Sequence, residues 1–208
     1  MLNFENAAKK DGYSVIVGID EVGRGPLAGP VVVGAVFLKE FAFKSRIDDS
    51  KKLTRLQRQA AFFEIIEKAS YGIGIINEKA IDTVNIARAI ELALDMAVLK
   101  LLERCAAYGP CVKNVFLLMD GSLRSSLPYA SKVIVGGDHL SLSIACASIV
   151  AKVIRDRIMN IYHAVYPEYG FAFHKGYGTK GHRDCICSHG LSPIHRHTFC
   201  RRVVPYEV

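Results

Sequence analysis

The sequence predicts an α/β fold: one mixed sheet flanked by helices, with a small helical segment towards the C-terminus. Three observations predict it. Apolar, β-branched runs come first and then alternate with segments of helical periodicity. Half of the 208 residues are hydrophobic, enough for one full core with little left for a second independent domain. Acidic residues end the apolar runs, at the strand ends where open α/β sheets gather their sites.

The elements follow in order. Residues 14–19 form a short β-branched run and 30–38 a Val-rich one, joined by a turn rich in Gly and Pro. A third run, 71–76, completes an expected antiparallel meander. Between the second and third lies a helix over 54–69. Thr54 can cap it, and Leu56, Ala60, Phe63 and Ile66 fall at helical spacing as its apolar face. Residues 85–104 give the clearest amphipathic helix, with Ile86, Ile90, Ala93, Ala97 and Leu101 on one face. Residues 114–119 read as a buried strand ending at Asp120-Gly121, and 132–135 as a short strand ending at Gly136-Gly137-Asp138. A long helix is expected over 140–165, rich in small residues at first, with Ala145, Cys146 and Ala147 packed inward. Past Pro167 the chain turns irregular and basic, with a short helix near 179–188.

Charge narrows the function classes. The net charge is +7, which favours a polyanionic partner. Residues 174–202 hold Lys175, Lys180, Arg183, Arg196, Arg201 and Arg202 against Asp184 alone, together with five of the seven histidines. Lys51, Lys52, Arg55 and Arg58 form a second basic cluster. The longest apolar stretch, 27–38, is interrupted by Gly and Pro, whereas a membrane helix needs about 20 apolar residues. With no secretory pattern at the start, the expectation is a soluble cytoplasmic protein that does not meet a membrane. Its six cysteines, Cys105, Cys111, Cys146, Cys185, Cys187 and Cys200, are then expected to be reduced. Cys185 and Cys187 lie close to His182 and His189, but their C-x-C spacing lacks the repeated C-x-x-C of a zinc site.

Three acidic positions stand at strand ends: Asp20-Glu21, Asp120 and Asp138. Each alone fits a turn or a helix cap. Together in a basic protein they form a constellation whose mutual repulsion a divalent cation would relieve. Mg²⁺ takes oxygen ligands and keeps several waters, so a few carboxylates and a substrate phosphate suffice. Two such ions can activate water and stabilise the departing oxygen of a phosphodiester. Strand alternation sends Asp20 and Glu21 to opposite faces, so Glu21 joins the site only if the strand bends or breaks there.

Other motifs fit a nucleic-acid partner. Gly23-Arg24-Gly25 allows close backbone approach beside a guanidinium. Ser50 and Lys51 precede a helix start, a phosphate-binding placement. Ser143, Ser148 and Lys152 lie along one helix edge, and Asp156 is expected in a surface ion pair. Tyr177, between glycines in a basic segment, can stack on a sugar or base, and His174 is a candidate proton shuttle.

These motifs, in this order, resemble the ribonuclease HII family. The resemblance rests on Asp-Glu-Val-Gly-Arg-Gly-Pro-Leu-Ala-Gly-Pro-Val at 20–31, Asp-Ser-Lys-Lys-Leu at 49–53 and Asp-Gly at 120–121. It continues through Gly-Gly-Asp at 136–138 with the Ser-Ile-Ala-Cys-Ala-Ser-Ile-Val-Ala-Lys helix, His-Lys-Gly-Tyr-Gly-Thr at 174–179 and Ser-Pro-Ile-His-Arg at 192–196. It runs from about Tyr13 to Arg202. Cys146 and His139 depart from the usual residues, and Arg24 separates the chain from the Gly-Lys-Gly of the sister family, ribonuclease HIII.

The resemblance implies an RNase H-like fold forming one catalytic domain over 1–208, with 167–208 as a basic substrate-binding segment. It implies Mg²⁺ or Mn²⁺ held by Asp20, Glu21, Asp120 and Asp138. It implies that Gly23, Arg24 and Gly25 sense the 2′-OH, that Tyr177 stacks on the following deoxyribose, and that Ser50, Lys51, Ser143 and Ser148 contact phosphates. The activity implied is cleavage on the 5′ side of ribonucleotides in RNA/DNA hybrids and ribonucleotide-containing duplexes, by a monomer. Two rivals remain at this level: another carboxylate nuclease or strand-transfer enzyme on the same fold, and a non-catalytic nucleic-acid-binding module.

Overall fold

A computed structural model describes residues 1–106, 114–201 and 203. Cys111 and Arg202, named above, lie outside the described residues. Five strands form one sheet: β1 (Val15–Val22), β2 (Val31–Leu38), β3 (Ala69–Ile76), β4 (Val115–Asp120) and β5 (Ala130–Ile134), in the order β3-β2-β1-β4-β5. β1, β2 and β3 pair antiparallel as the expected meander, while β4 and β5 join parallel. The sheet is therefore mixed, and β1 lies at its centre, where the pairing changes sense.

A helix covers each face. α4 (Ile86–Ala106) packs on one face, where Ala93, Ala97 and Leu101 are buried with Val17, Ile19, Leu117 and Met119. The approach is close because Gly72 and Gly74 of β3 lie beneath it: a Cβ on Gly74 would fall 1.7 Å from the Ala93 carbonyl oxygen. α6 (Leu142–Val165) covers the opposite face with its small-residue stripe, and Ala145, Cys146 and Ala147 are fully buried. A Cβ on Gly18 would meet the Ser143 backbone at 2.1 Å, and one on Gly34 the Ala147 carbonyl oxygen at 2.7 Å. Alanine, serine and cysteine on the helix thus fit glycine on the strands, which brings the end of β1 against α6.

α2 (Arg55–Lys68) begins with a capping box: Thr54 accepts from Gln57 N–H, and the Gln57 side chain accepts from Thr54 N–H. Its buried face differs from the expected one. Ala61, Phe62 and Ile65 go in, whereas Leu56 and Phe63 remain exposed and Ile66 is only half-buried. The segment carries apolar residues on adjacent faces, and packing against α6 selects between them. Two other expectations change. The helix expected over 140–165 is present as α6 but starts at Leu142, after Ser141 separates it from a short preceding helix, α5 (Gly137–Leu140). Two helices without a clear sequence signature, α1 (Asn3–Lys10) and α3 (Glu78–Val84), are also present.

The C-terminal part folds as α7 (Phe171–His174), α8 (Lys180–His189) and α9 (His197–Cys200). It has a small core of its own, with Tyr169, Phe171, Ile186, Ile194 and Cys200 packed on Met159 of α6 and Ala28. Among the described residues no helix is long and apolar enough to cross a membrane.

Candidate active site

The break at Asp20 that was the condition for Glu21 to join the site does not occur. β1 continues through Glu21 and Val22, both paired with β2, whereas its pairing with β4 stops at Ile19 opposite Met119. Asp20 points to the α6 face with Gly18, and Glu21 to the α4 face with Val17 and Ile19. Glu21 reaches the rim because β4 has ended beside it, leaving its flank open. Asp120, the last residue of β4, shares a face with Asp20 by the same alternation. Asp138 comes from the first turn of α5, after Gly136 in the left-handed conformation (φ 66°). Gly137 N–H donates to Asp120 Oδ1 at 2.6 Å and ties these two elements together.

Carboxylate oxygens of Asp20, Asp120 and Asp138 all lie within 4.8 Å of one another. Burial, then the neighbouring charge of Glu21, holds the Asp20 carboxyl well above the usual range, partly opposed by a hydrogen bond from Ser148. Burial also raises Glu21, with Arg24 opposing and Asp120 adding to the rise. Asp138 is raised by burial and by Asp120 and Asp49. Lys51 and Arg24 compensate the cluster only in part, and its all-oxygen donors suit a hard divalent cation. Glu21 is next to this trio without being one of its three close-set ligands.

A cleft of about 380 Å³ opens beside the cluster, lined by Asp20, Glu21, Ser50, Lys51, Ser148, Lys152 and Tyr177. Lys51 is exposed, and its ammonium is kept charged: burial acts against it, but Asp49, Asp20, Asp138 and Asp120 raise its pKa. Ser50 and Ser148 are buried and share a hydrogen bond of 3.0 Å. Ser143 is not in this cleft. Its hydroxyl donates to the buried Glu5 carboxylate at 2.8 Å, and its backbone lies over Gly18, so it faces inward, away from any phosphate. Asp156 forms the expected ion pair, 2.7 Å from Lys152 and 3.7 Å from Arg58.

The two glycines of the 23–25 motif have different situations. A Cβ on Gly23 would run into the Arg155 side chain at 2.3 Å, so its missing side chain accommodates the protein interior. Gly25 is exposed, with nothing within 4 Å of a built Cβ, and is open to a ligand.

Two buried arginines that sequence reading missed as site residues fasten this loop. Arg155 of α6 donates to the carbonyls of Pro30, Ala28 and Lys175 at 2.9–3.2 Å. Arg196 donates to Gly23, Arg24 and Gly29 at 2.7–3.1 Å. Burial, followed by the charge of Arg155, lowers Arg196 to about 10. Gly176 accepts from Leu27 N–H at 2.8 Å, which docks the Tyr177 loop on the same segment.

Three histidines of the C-terminal region, His174, His182 and His195, are scaffold. His174 accepts from Gly176 N–H at Nδ1, which leaves Nε2–H to donate to the Tyr169 carbonyl; both nitrogens are committed, against a proton-shuttle role. His182 donates from Nδ1 to the Tyr177 carbonyl at 2.9 Å, so its Nε2 must accept from His195 Nε2–H at 3.0 Å. His195 Nδ1 then accepts from Ser192. Both rings are therefore neutral, and burial lowers each to about 4.

Asp49 and His139 were also missed as part of the site. With Asp138 they form a second set of ligand atoms within 4.8 Å, adjoining the first. In the sequence all these residues look like polar surface, because nothing local marks a charge that the fold will bury.

The family model described as Ribonuclease HII matches residues 17–202. The chain belongs to the ribonuclease HII family. It is 49% identical over 205 residues to the ribonuclease HII of Ruminiclostridium cellulolyticum, covering 98% of this chain and 77% of that one. The crystal structure of ribonuclease H2 from Pyrococcus horikoshii OT3 superposes with a TM-score of 0.69 at 23% identity, covering 91% and 97% of the two chains. Bst-RNase HIII in complex with Mn²⁺ superposes with a TM-score of 0.66 at 17% identity, covering 88% and 65%. The RNase H-like fold is thus shown. The chain is a ribonuclease H endonuclease of type HII, a metal-dependent class acting on RNA/DNA hybrids. Of its departures from the family pattern, Cys146 is buried in the α6 core and His139 adjoins Asp138.

Proposed function

We propose that Asp20, Glu21, Asp120 and Asp138 bind the Mg²⁺ or Mn²⁺ used for cutting on the 5′ side of a ribonucleotide within a duplex. The observation that carries the reading is the convergence of acids from β1, β4 and α5 beside a cleft furnished with Lys51, Lys152 and Tyr177. A bound pair of divalent cations would neutralise the phosphodiester, favour attack by water and stabilise the leaving oxygen. The protein's own groups do the rest. Lys51 and Ser50 face the phosphate flanking the cut, and Ser148 steadies Asp20. Tyr177 stacks on the sugar after the ribonucleotide, and the backbone at Arg24 and Gly25 meets the 2′-OH. Water adds to phosphorus, the bond to the preceding 3′-oxygen breaks, and the products carry a 3′-OH and a 5′-phosphate.

Such an enzyme would remove misincorporated ribonucleotides from DNA, acting as a cytoplasmic monomer. Residues 167–208 would supply the basic substrate-binding segment of a single catalytic domain. Manganese as an alternative to magnesium is favoured by the Mn²⁺ complex of Bst-RNase HIII. Mapping the ends produced from a duplex with one embedded ribonucleotide, in each metal, tests the reading. The expected result is one cut 5′ to the ribonucleotide and an intact all-DNA control. Cutting of the all-DNA duplex, or a cut on the 3′ side, would refute it.

A further inference from the structure

A second cavity, of about 470 Å³, adjoins the site on the opposite side of the strand ends. Its lining includes Arg24, Asn85, Arg88, Glu91, Ser122 and Arg124. Arg24 follows Glu21 by three residues and Ser122 follows Asp120 by two, so the carboxylates form the border between this cavity and the Lys51–Tyr177 cleft. Lys152 and Ser148 of that cleft come from α6, whereas Asn85, Arg88 and Glu91 lie at the start of α4. The two basic recesses thus lie on the two faces of one sheet rim.

The chemistry of the second recess is that of an anion seat. Three guanidiniums face one carboxylate, Glu91, which pairs with Arg88 at 2.8 Å. Arg24 is held by Ser122 at 3.2 Å and lies 3.8 Å from Glu21. Arg124 is exposed and forms no ion pair among the described residues. The positive end of a 21-residue helix opens here, but Asn85 Oδ1 already takes the N–H groups of Ala87 and Arg88. Binding would therefore be through guanidinium side chains, which present paired donors to phosphate oxygens.

We propose that this cavity seats a backbone phosphodiester of the bound nucleic acid, gripped by Arg124 and Arg88 on the side of the carboxylates away from Tyr177. The inference deepens the proposed ribonucleotide-directed cleavage and rests on it. The duplex is then held on both flanks of the cut, with Lys51 and Lys152 on one and the arginines on the other.

The test compares wild type with Arg124→Gln and Arg88→Gln, exposed changes that should leave the melting temperature alone. Binding of a fluorescent duplex containing one ribonucleotide is measured in EDTA over a series of KCl concentrations. Each variant should raise Kd about five- to tenfold, and the slope of log Kd against log salt should fall by about one for a lost phosphate contact. Single-turnover cleavage at saturating duplex should stay within about twofold of wild type. Single methylphosphonate replacements, scanned along both strands, should reveal one position that weakens wild type but not Arg124→Gln.

An unchanged Kd and salt slope would overturn the proposal. So would a loss to which every methylphosphonate adds in full, which would mean a general field without a seat. Titration with inorganic phosphate separates the sources: occupation of the cavity by free phosphate without competition from the duplex would also overturn it. A wild type that binds the duplex as described yet never cuts it would refute the function and spare the seat. Normal cleavage with unaltered binding in both variants would do the reverse.

Discussion

Asp20 is kept buried, above its usual pKa, next to other acids. That arrangement costs stability in the absence of a cation. Asp20→Asn should therefore abolish cleavage yet raise the melting temperature in EDTA, by about 1 kcal/mol of stability or a few degrees. A fall in melting temperature would contradict the assignment of repulsion at this site. A second residue-scale prediction concerns His182 and His195. Both have folded pKa values lowered from 6.5 to about 4, so the unfolded chain binds more protons in that window. Stability is accordingly intact above about pH 6.5 and is lost as pH falls towards 4. His182→Asn should flatten the melting temperature against pH between those limits. An unchanged profile would show that the ring does not titrate there. Asp20 and Asp120 were legible as candidates because a carboxylate ending an apolar run is a visible contradiction in sequence, whereas the full set with Glu21 and Asp138 came from the family resemblance. His182 and His195 were not, since a histidine among basic residues reads as solvated until its neighbours are known.

At the scale of the element, the strands and long helices were legible from periodicity, and the junctions between them were less so. The α2 face is the clearest case. Leu56 and Phe63 have the right spacing, but Phe62 and Ile65 are the residues that α6 covers. Leu56→Ser should change stability by no more than about 0.5 kcal/mol, whereas Ile65→Ala should cost about 2–5 kcal/mol in urea denaturation. Comparable losses from both would mean the helix is rotated relative to the structure. The glycines of β3 also act at this scale. Gly74→Ala places a methyl against the α4 backbone, which cannot retract like a side-chain tip, and should destabilise the fold by about 3 kcal/mol or more. In the sequence such glycines only weaken a strand prediction; their purpose appears when α4 is laid across them.

Across the whole molecule, the catalytic sheet and the C-terminal segment are joined through the 23–30 loop. Arg155, Arg196 and the Gly176 carbonyl fix that loop from behind, so the backbone proposed to meet the 2′-OH is held by residues distant in the chain. This long-range fastening has no local sequence signature, which is why the loop was legible as a motif and its support was not. Arg196→Lys replaces a planar fork with a single ammonium and leaves buried carbonyls unpaired, each worth about 1–3 kcal/mol. It should lower the preference for ribonucleotide over all-DNA duplex while Mn²⁺ affinity, measured by titration calorimetry, stays unchanged. Loss of Mn²⁺ binding would mean that the loop and the carboxylates are not separable.

The most direct measurement of the central claim is single-turnover cleavage of a labelled DNA duplex carrying one ribonucleotide, with Mg²⁺ or Mn²⁺, by wild type and by the nearly isosteric Asp120→Asn. The account predicts cutting 5′ to the ribonucleotide by wild type and a loss of at least about a hundredfold in the variant, roughly the 3 kcal/mol of one lost electrostatic contact to the reacting group. Equal rates for the two proteins, or no cleavage by wild type in either metal, would contradict it.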